Sequence, residues 1–423
     1  MASPAGPRLV RALHHRNFRL FFGGQSISLV GTWITRVATS WLVYRLTGSE
    51  LLLGIAGFAG QLPMLVITPV AGVLVDRMDR RRILVITQVA AMLQSAVLAV
   101  LVFTDLITVT QIIWLQVAQG VINSFDTPAR QAFVSEMVED RRDLPNAIAL
   151  NSSMVNGSRI IGPSIGGLLI GAVGEGWCFA VDAVSYLAVI ASLLAMRVPP
   201  RRRDHARDTH VLDELRQGWN YVRGSVPIRS ALLLVAVVSA SGTPYTVLMP
   251  AIAAQEMHGG PDTLGLLMTA IGVGALGGAL YLASRETVVG ISRRIMWAAM
   301  LFGAGLVAFS WTSEIVSAWV VLAIGGVGFM ISLAGTNTLL QTVVDERLRG
   351  RVMAFYTMAF FGTVPLASLL GGAAADRVGA PAAVRASGVL CLLGAAWFWS
   401  RLPAIRAAMR PIYEERGIAP SGA

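Results

Sequence analysis

The chain has 423 residues, of which 55% are hydrophobic and only 14% charged, with a mean hydropathy of +0.64 and a formal net charge of +10. An ordinary globular chain is about one-quarter charged, so there are too few ionisable groups here to cover two or three soluble domains. This composition excludes a water-soluble enzyme or binding module of ordinary make-up and predicts a membrane protein.

In chain order, segment 1–19 has no apolar stretch followed by a small-residue cleavage site, so no removable signal is read there. Span 1, near 20–44, is interrupted by Arg36. Spans 2 to 4 are the charge-free stretches 51–75, 83–104 and 106–125, and spans 5 and 6, near 145–173 and 176–196, each carry one charge, Arg159 and Asp182. A hydrophilic insertion follows at 199–227, where Val211, Leu215, Trp219 and Val222 recur at helical spacing and predict an amphipathic helix on the membrane surface. Spans 7 to 11 are charge-free at 230–255, 263–284, 295–313, 315–344 and 352–375, and span 12, near 380–400, is shortened by Arg385. About 20 apolar residues cross a hydrocarbon core of roughly 30 Å as a helix, whose backbone satisfies its own hydrogen bonds. The expected organisation is an all-α membrane protein of twelve spans: a six-helix half at 1–198, a cytoplasmic linker at 199–227, a second half at 228–402 and a tail at 403–423.

All 34 basic residues are arginine. With the N-terminus inside, 29 of them fall in inside segments and three, Arg45, Arg377 and Arg385, fall outside, which predicts a cell-membrane protein with both termini in the cytoplasm. The positive charge therefore reads as a topology signal and a contact for anionic membrane lipid before it reads as nucleic-acid binding. Two cysteines, Cys178 and Cys391, sit in different halves and suggest neither a disulfide framework nor a metal site. No nucleophile with a base, metal-ligand spacing or phosphate loop is present, and the five histidines fall in loops or tails, so no enzyme activity, cofactor or metal is expected.

The halves also resemble each other at an offset of about 211 residues: Leu53-Gly54 matches Leu264-Gly265, and Arg81-Arg82 matches Arg293-Arg294. Gln131 and Pro163 have counterparts in Gln341 and Pro365. Two repeated six-span halves are the plan of many secondary transporters, which bind substrate near the membrane midplane.

Between spans 2 and 3 runs Gly72-Val-Leu-Val-Asp76-Arg77-Met-Asp79-Arg80-Arg81-Arg82. Span 5 holds Arg159-Ile-Ile-Gly162-Pro163-Ser-Ile-Gly166-Gly167, span 4 ends in Asp126-Thr-Pro-Ala-Arg130, and span 11 opens on Leu348-Arg-Gly-Arg-Val-Met353. The first run resembles the signature G-x-L-x-D-R-x-G-R-[RK] of the major facilitator superfamily. Over nearly the whole chain the sequence resembles its multidrug and siderophore exporters, relatives of the enterobactin exporter and macrolide efflux proteins. Asp79 stands where that signature has Gly, Ser158 where the span 5 motif has Gly, and Gln116 where many proton-coupled relatives carry Arg.

Physically, Gly72 allows close helix approach, and Asp76 with Arg80 one turn later forms a charge cluster with Arg77 and Arg81 that can lock inner helix ends. The resemblance implies an acid at the inner end of span 4, a place that Asp126 fills beside Arg130. The other reading is that the arginines are only a positive-inside signal and that Asp126 caps a loop helix. Gly162, Pro163, Gly166 and Gly167 in span 5, with Gly274 and Gly278 in span 8, are small residues suited to packing span 5 on span 8, or to ordinary packing without a mechanistic role. Spans 1, 4, 7 and 10 line the substrate cavity by resemblance, with Arg36, Gln116 and Arg159 as its candidate residues. Asp182 lies about two turns into span 6, where a helix N-terminus and interfacial water keep it ionised; the other reading makes it the proton-coupling group.

The function expected is alternating-access secondary export of small amphipathic molecules, drugs or siderophore-like compounds, with protons as the candidate coupling ion. A transport-inactive membrane sensor or scaffold on the same fold, or a lipid-moving permease, is the alternative.

Overall fold

A polypeptide in lipid must satisfy its own backbone groups, and this chain does so with helices alone: among the described residues there is no strand. The computed structural model describes residues 8–197, 211–285 and 287–416. Most of the expected linker, at 199–210, and the last tail residues, 417–423, lie outside the described residues, as do the side chains of Val211 and Leu215. The helices are α1 (Arg16–Thr47), α2 (Glu50–Arg77), α3 (Arg80–Phe103), α4 (Val109–Phe133), α5 (Leu144–Val173), α6 (Glu175–Ala195), α7 (Val211–Gly224), α8 (Val226–Gln255), α9 (Pro261–Ala283), α10 (Ile291–Phe309), α11 (Ile315–Val343), α12 (Arg349–Phe361), α13 (Val364–Val378) and α14 (Ala380–Glu415).

Local chemistry sets several of the ends. Thr108 and Gln111 form a reciprocal capping box at the start of α4, Thr108 Oγ1 accepting from Gln111 N at 3.3 Å and Gln111 Oε1 from Thr108 N at 2.8 Å. Asp79 caps α3 by accepting from Arg82 N at 3.2 Å, with φ −69°, so this turn needs no glycine. The charge-free stretch 352–375 is two helices, broken at Gly362 and Thr363, because Pro365 has no amide to continue the ladder. Helix α14 runs on into the expected tail as far as Glu415 and buries Ile405, Met409 and Tyr413.

Among the described residues, nine segments are long and apolar enough to cross a membrane, the α12–α13 pair counting as one. Helices α1, α4 and α5 are as long, at 32, 25 and 30 residues, but more polar, with Arg36 within α1, Gln116, Gln119 and Asn123 within α4, and Asn156 and Arg159 within α5. A polar side chain at mid-helix needs water, a partner or a ligand, so these three helices direct attention to the site.

The chain divides into two compact units. Unit 1 comprises 1–48, 59–206 and 259–269, and unit 2 comprises 49–58, 207–258 and 270–423. In unit 1, α1 packs on α5 and α6, and α3 packs on α4 and α6. Its apolar core gathers Phe18, Phe21, Leu84, Phe133, Met137 and Leu193, where the starts of α1 and α3 meet the ends of α4 and α6. The N-terminal turn 8–14 is clasped to the start of α5: Asp143 accepts from Arg11 Nη2 at 2.7 Å and meets His15 Nε2 at 3.1 Å. The His15 contact, reinforced by Arg11, holds the Asp143 carboxyl below its ordinary value.

In unit 2, α10 packs on α11 and α14, and α8 on α13 and α14. Helix α7, expected on the membrane surface, buries Val222 and sets Trp219 against Phe355 of α12 at 6.0 Å between ring centroids.

Candidate functional site

The charge cluster at the end of α2 lies wholly within unit 1. Arg80 is only 9% exposed; its Nη2 donates to Asp76 Oδ1 at 2.8 Å, and its Nη1 to Glu136 Oε1 at 2.7 Å and to Ala132 O at 3.3 Å. Arg81 caps α6, its Nε reaching Leu193 O and its Nη2 Leu194 O, both at 2.8 Å. Arg77 is exposed. Asp126 does not fill the place expected for it. It is buried and engaged elsewhere: Oδ1 accepts from Gln88 Nε2 at 2.7 Å and Thr87 Oγ1 at 3.2 Å, and Oδ2 pairs with Arg130 at 3.3 Å. The acid that meets the loop arginine is Glu136, in the turn after α4, which the motif reading missed. Gly72 is not a close approach either, since a Cβ added there would meet nothing within 4 Å.

The glycines of α5 divide between two neighbours. Gly162 and Gly166 face α1, where a Cβ on Gly162 would collide with Trp33 Cβ. Gly167 faces the first turns of α9: its added Cβ would stand 2.5 Å from Pro261 O and 3.0 Å from Gly265 Cα, and Gly265 stands equally close to Pro163 O. Gly274 and Gly278, expected to pack on span 5, instead meet Ala323 and Val327 of α11, because the part of α9 that crosses α5 is its first turns, at Gly265. In unit 2, Gly54 crosses Gly372 in the same manner, an added Cβ standing 2.9 Å from Gly372 Cα. Gly54 and Gly265 are the repeat-related pair of the sequence, so each repeat uses its glycine for a glycine-on-glycine crossing.

Midway along α1, Ser26, Trp33, Arg36, Ser40 and Tyr44 share one face and none is buried. Arg36 is exposed and its guanidinium lies 4.5 Å from the centroid of the Trp33 ring; that of Arg159, from mid-α5, lies 5.8 Å from the same ring. Among the described residues no acid forms an ion pair with either arginine. A cation–π contact supplies ~0.5–2 kcal/mol, whereas an arginine at mid-membrane costs at least about 2.5 kcal/mol. The ring alone does not meet the cost of two cations, which leaves water or an anion to supply the balance. Gln116, expected beside them, packs over Gly60 of α2, where an added Cβ would lie 3.6 Å from its Nε2. Trp33 was readable as the residue three before Arg36 on the same helical face.

Asp182 is not in interfacial water. It is 1% exposed, and its Oδ2 accepts from Ser95 Oγ of α3 at 2.7 Å.

A family profile described as transmembrane secretion effector matches residues 10–416. The chain belongs to that family of major facilitator proteins. Among its relatives is the staphyloferrin A transporter of Staphylococcus aureus, 25% identical over 85% of this chain and 90% of the relative. The multidrug efflux pump Tap of Mycolicibacterium fortuitum is 28% identical over 90% of this chain and 95% of its own length. Macrolide efflux protein A of Streptococcus pyogenes is 25% identical over 86% and 90% respectively. The fold is also that of a bacterial homologue of the human lysosomal transporter Spinster, with a TM-score of 0.69 at 14% identity over 95% of this chain and 99% of the other. This is a membrane transport protein of the major facilitator type and not an enzyme.

Proposed function

We propose that this transporter exports small anionic or strongly polar aromatic molecules from the cell by alternating access of two six-helix halves, with both termini in the cytoplasm and transport coupled to an ion gradient. The relatives' names, a staphyloferrin A transporter, a multidrug efflux pump and a macrolide efflux protein, support export of bulky small molecules. The observation that carries the substrate class is the pair Arg36 and Arg159 on one half-buried Trp33 ring, with no acid paired to either among the described residues. A ligand with an aromatic ring and an anionic or catechol edge replaces the water on both guanidiniums and stacks on the indole. A lipophilic cation at this place is repelled twice. The cluster of Asp76, Arg80, Arg81 and Glu136 acts as the inner latch in this reading, and the Gly167 crossing is the tight contact that seals.

The test is counterflow in proteoliposomes with 2,3-dihydroxybenzoate as the anion and ethidium as the cation. Charge-assisted hydrogen bonds of ~1.5–3 kcal/mol imply that Arg36→Gln and Arg159→Gln weaken the anion by about ten-fold or more, while the cation, relieved of one like charge, is not weakened. Equal loss for both probes, or no loss, overturns the reading and leaves the arginines as structural residues.

A further inference from the structure

Within unit 1 a buried polar cluster is left unexplained by the substrate site. Asp182, on α6, is 1% exposed and faces two other helices, α3 and α1. From α3, Ser95 Oγ donates to Oδ2 at 2.7 Å, and Ser95 also lies 3.4 Å from Gln94 Oε1. From α1, Gly31 leaves room for the carboxyl: a Cβ there would stand 2.7 Å from Asp182 Oδ1 and 2.5 Å from Ser185 Oγ. The Thr35 hydroxyl is beside the carboxyl, yet Thr35 Oγ1 and Asp182 Oδ1 are both buried without a hydrogen bond of good geometry. The other titratable groups on this stretch of α6 are Cys178, buried one turn back, Tyr186, one turn on, whose hydroxyl lies 3.4 Å from Thr32 Oγ1, and Glu175, two turns back and held by Arg45 at 2.7 Å. Arg36 on α1 and Arg159 on α5 stack on Trp33, and among the described residues no cation pairs with Asp182.

This environment differs from a structural ion pair in one respect. An arginine or an amide N–H can only donate, so it fixes a carboxyl as carboxylate. Hydroxyls donate or accept, so Ser95 and Thr35 can match either form, while Ser185 Oγ, which donates to the backbone carbonyl of Asp182 at 2.7 Å, can still accept. The orphaned Oδ1 facing Thr35 is the atom at which an added proton gains an acceptor.

We propose that Asp182 is the proton-carrying group of the transport cycle. Its carboxylate takes one proton from water on one side of the membrane and returns it on the other, with no other bond made or broken. The role of this proton rests on the transport function proposed above; its detection does not.

Infrared difference spectra of the purified protein in bilayers, recorded between high and low pH without substrate, should contain a carboxylic C=O band. That band should be absent in Asp182→Asn and displaced in frequency in Ser95→Ala, which leaves the carboxyl in place should the first variant fold poorly. In proteoliposomes, accumulation of 2,3-dihydroxybenzoate driven by an imposed pH gradient should be lost in Asp182→Asn while its counterflow persists. A titrating band that survives Asp182→Asn and is unmoved by Ser95→Ala overturns the proposal, as does pH-driven accumulation undiminished by the first variant. A band that behaves as expected in a protein that moves no anion sustains the proton site and overturns the transport reading instead.

Discussion

Arg80 decides which of two acids matters. Its partner Asp76 is 70% exposed at the side chain, whereas Glu136 is 21% exposed and the guanidinium itself is nearly buried. An exposed ion pair contributes ~0–1 kcal/mol, and a buried charge stripped of its partner loses more. With Asp76→Asn, Arg80 still has Glu136 and Ala132 O; with Glu136→Gln, its best-shielded anion is gone. Thermal unfolding in detergent should therefore show Glu136→Gln destabilised by about 1–3 kcal/mol and Asp76→Asn by under ~1 kcal/mol. The reverse order would make Asp76 the anchor. The Asp76–Arg80 contact was legible from its four-residue spacing, although it spans the turn from the end of α2 to the start of α3. Glu136 was not, because 56 residues separate it from Arg80 and only the fold brings them together. Asp126 misled for a related reason: a neighbour at i+4 and two side chains of α3 already satisfy it.

At the scale of helices, glycine has two different meanings in this chain, and only contact tells them apart. A methyl at Gly167 would press on backbone atoms of α9 that cannot rotate away, whereas a methyl at Gly72 enters open space. Gly167→Ala should cost about 1–3 kcal/mol by overpacking and reduce transport. Gly72→Ala should match or exceed wild-type stability, because alanine in a helix interior loses less backbone entropy. Melting curves of the two variants check this, and equal losses would mean that Gly72 is packed in another conformation. Charge-free length made the helices readable, since each must satisfy its backbone internally over a fixed thickness. Where they bend or overrun was less readable. Pro163 lies inside the continuous α5, yet its repeat counterpart Pro365 follows a break at Gly362 and Thr363. Helix α14 has 36 residues, ~54 Å at 1.5 Å per residue, and so exceeds a ~30 Å core; hydropathy marks the membrane portion and carries no signal for the rest.

For the molecule as a whole, the proposed anion site at the two arginines and the proposed proton site at Asp182 would be linked through the membrane potential. In an inside-negative cell, expelling a monovalent anion and admitting one proton both move positive charge inward, so one exchange carries two charges. Each charge is worth ~2.3 kcal/mol per 100 mV, so the potential alone would supply ~4.6 kcal/mol per 100 mV, roughly a two-thousand-fold concentration ratio. An exporter built on this plan gains more from the potential than one exporting a monovalent cation in exchange for one proton, whose two charge movements cancel. Asp182→Asn removes the proton and leaves the anion, so the charge moved per 2,3-dihydroxybenzoate should fall from two to one. Reversal potentials, measured by balancing a potassium diffusion potential against a 2,3-dihydroxybenzoate gradient in proteoliposomes, read this ratio directly. Wild-type transport indifferent to the potential, or an unchanged ratio in Asp182→Asn, would separate the carboxyl from the current. A ratio of one in both proteins would mean that the anion crosses alone, driven by the potential and held only by the two arginines.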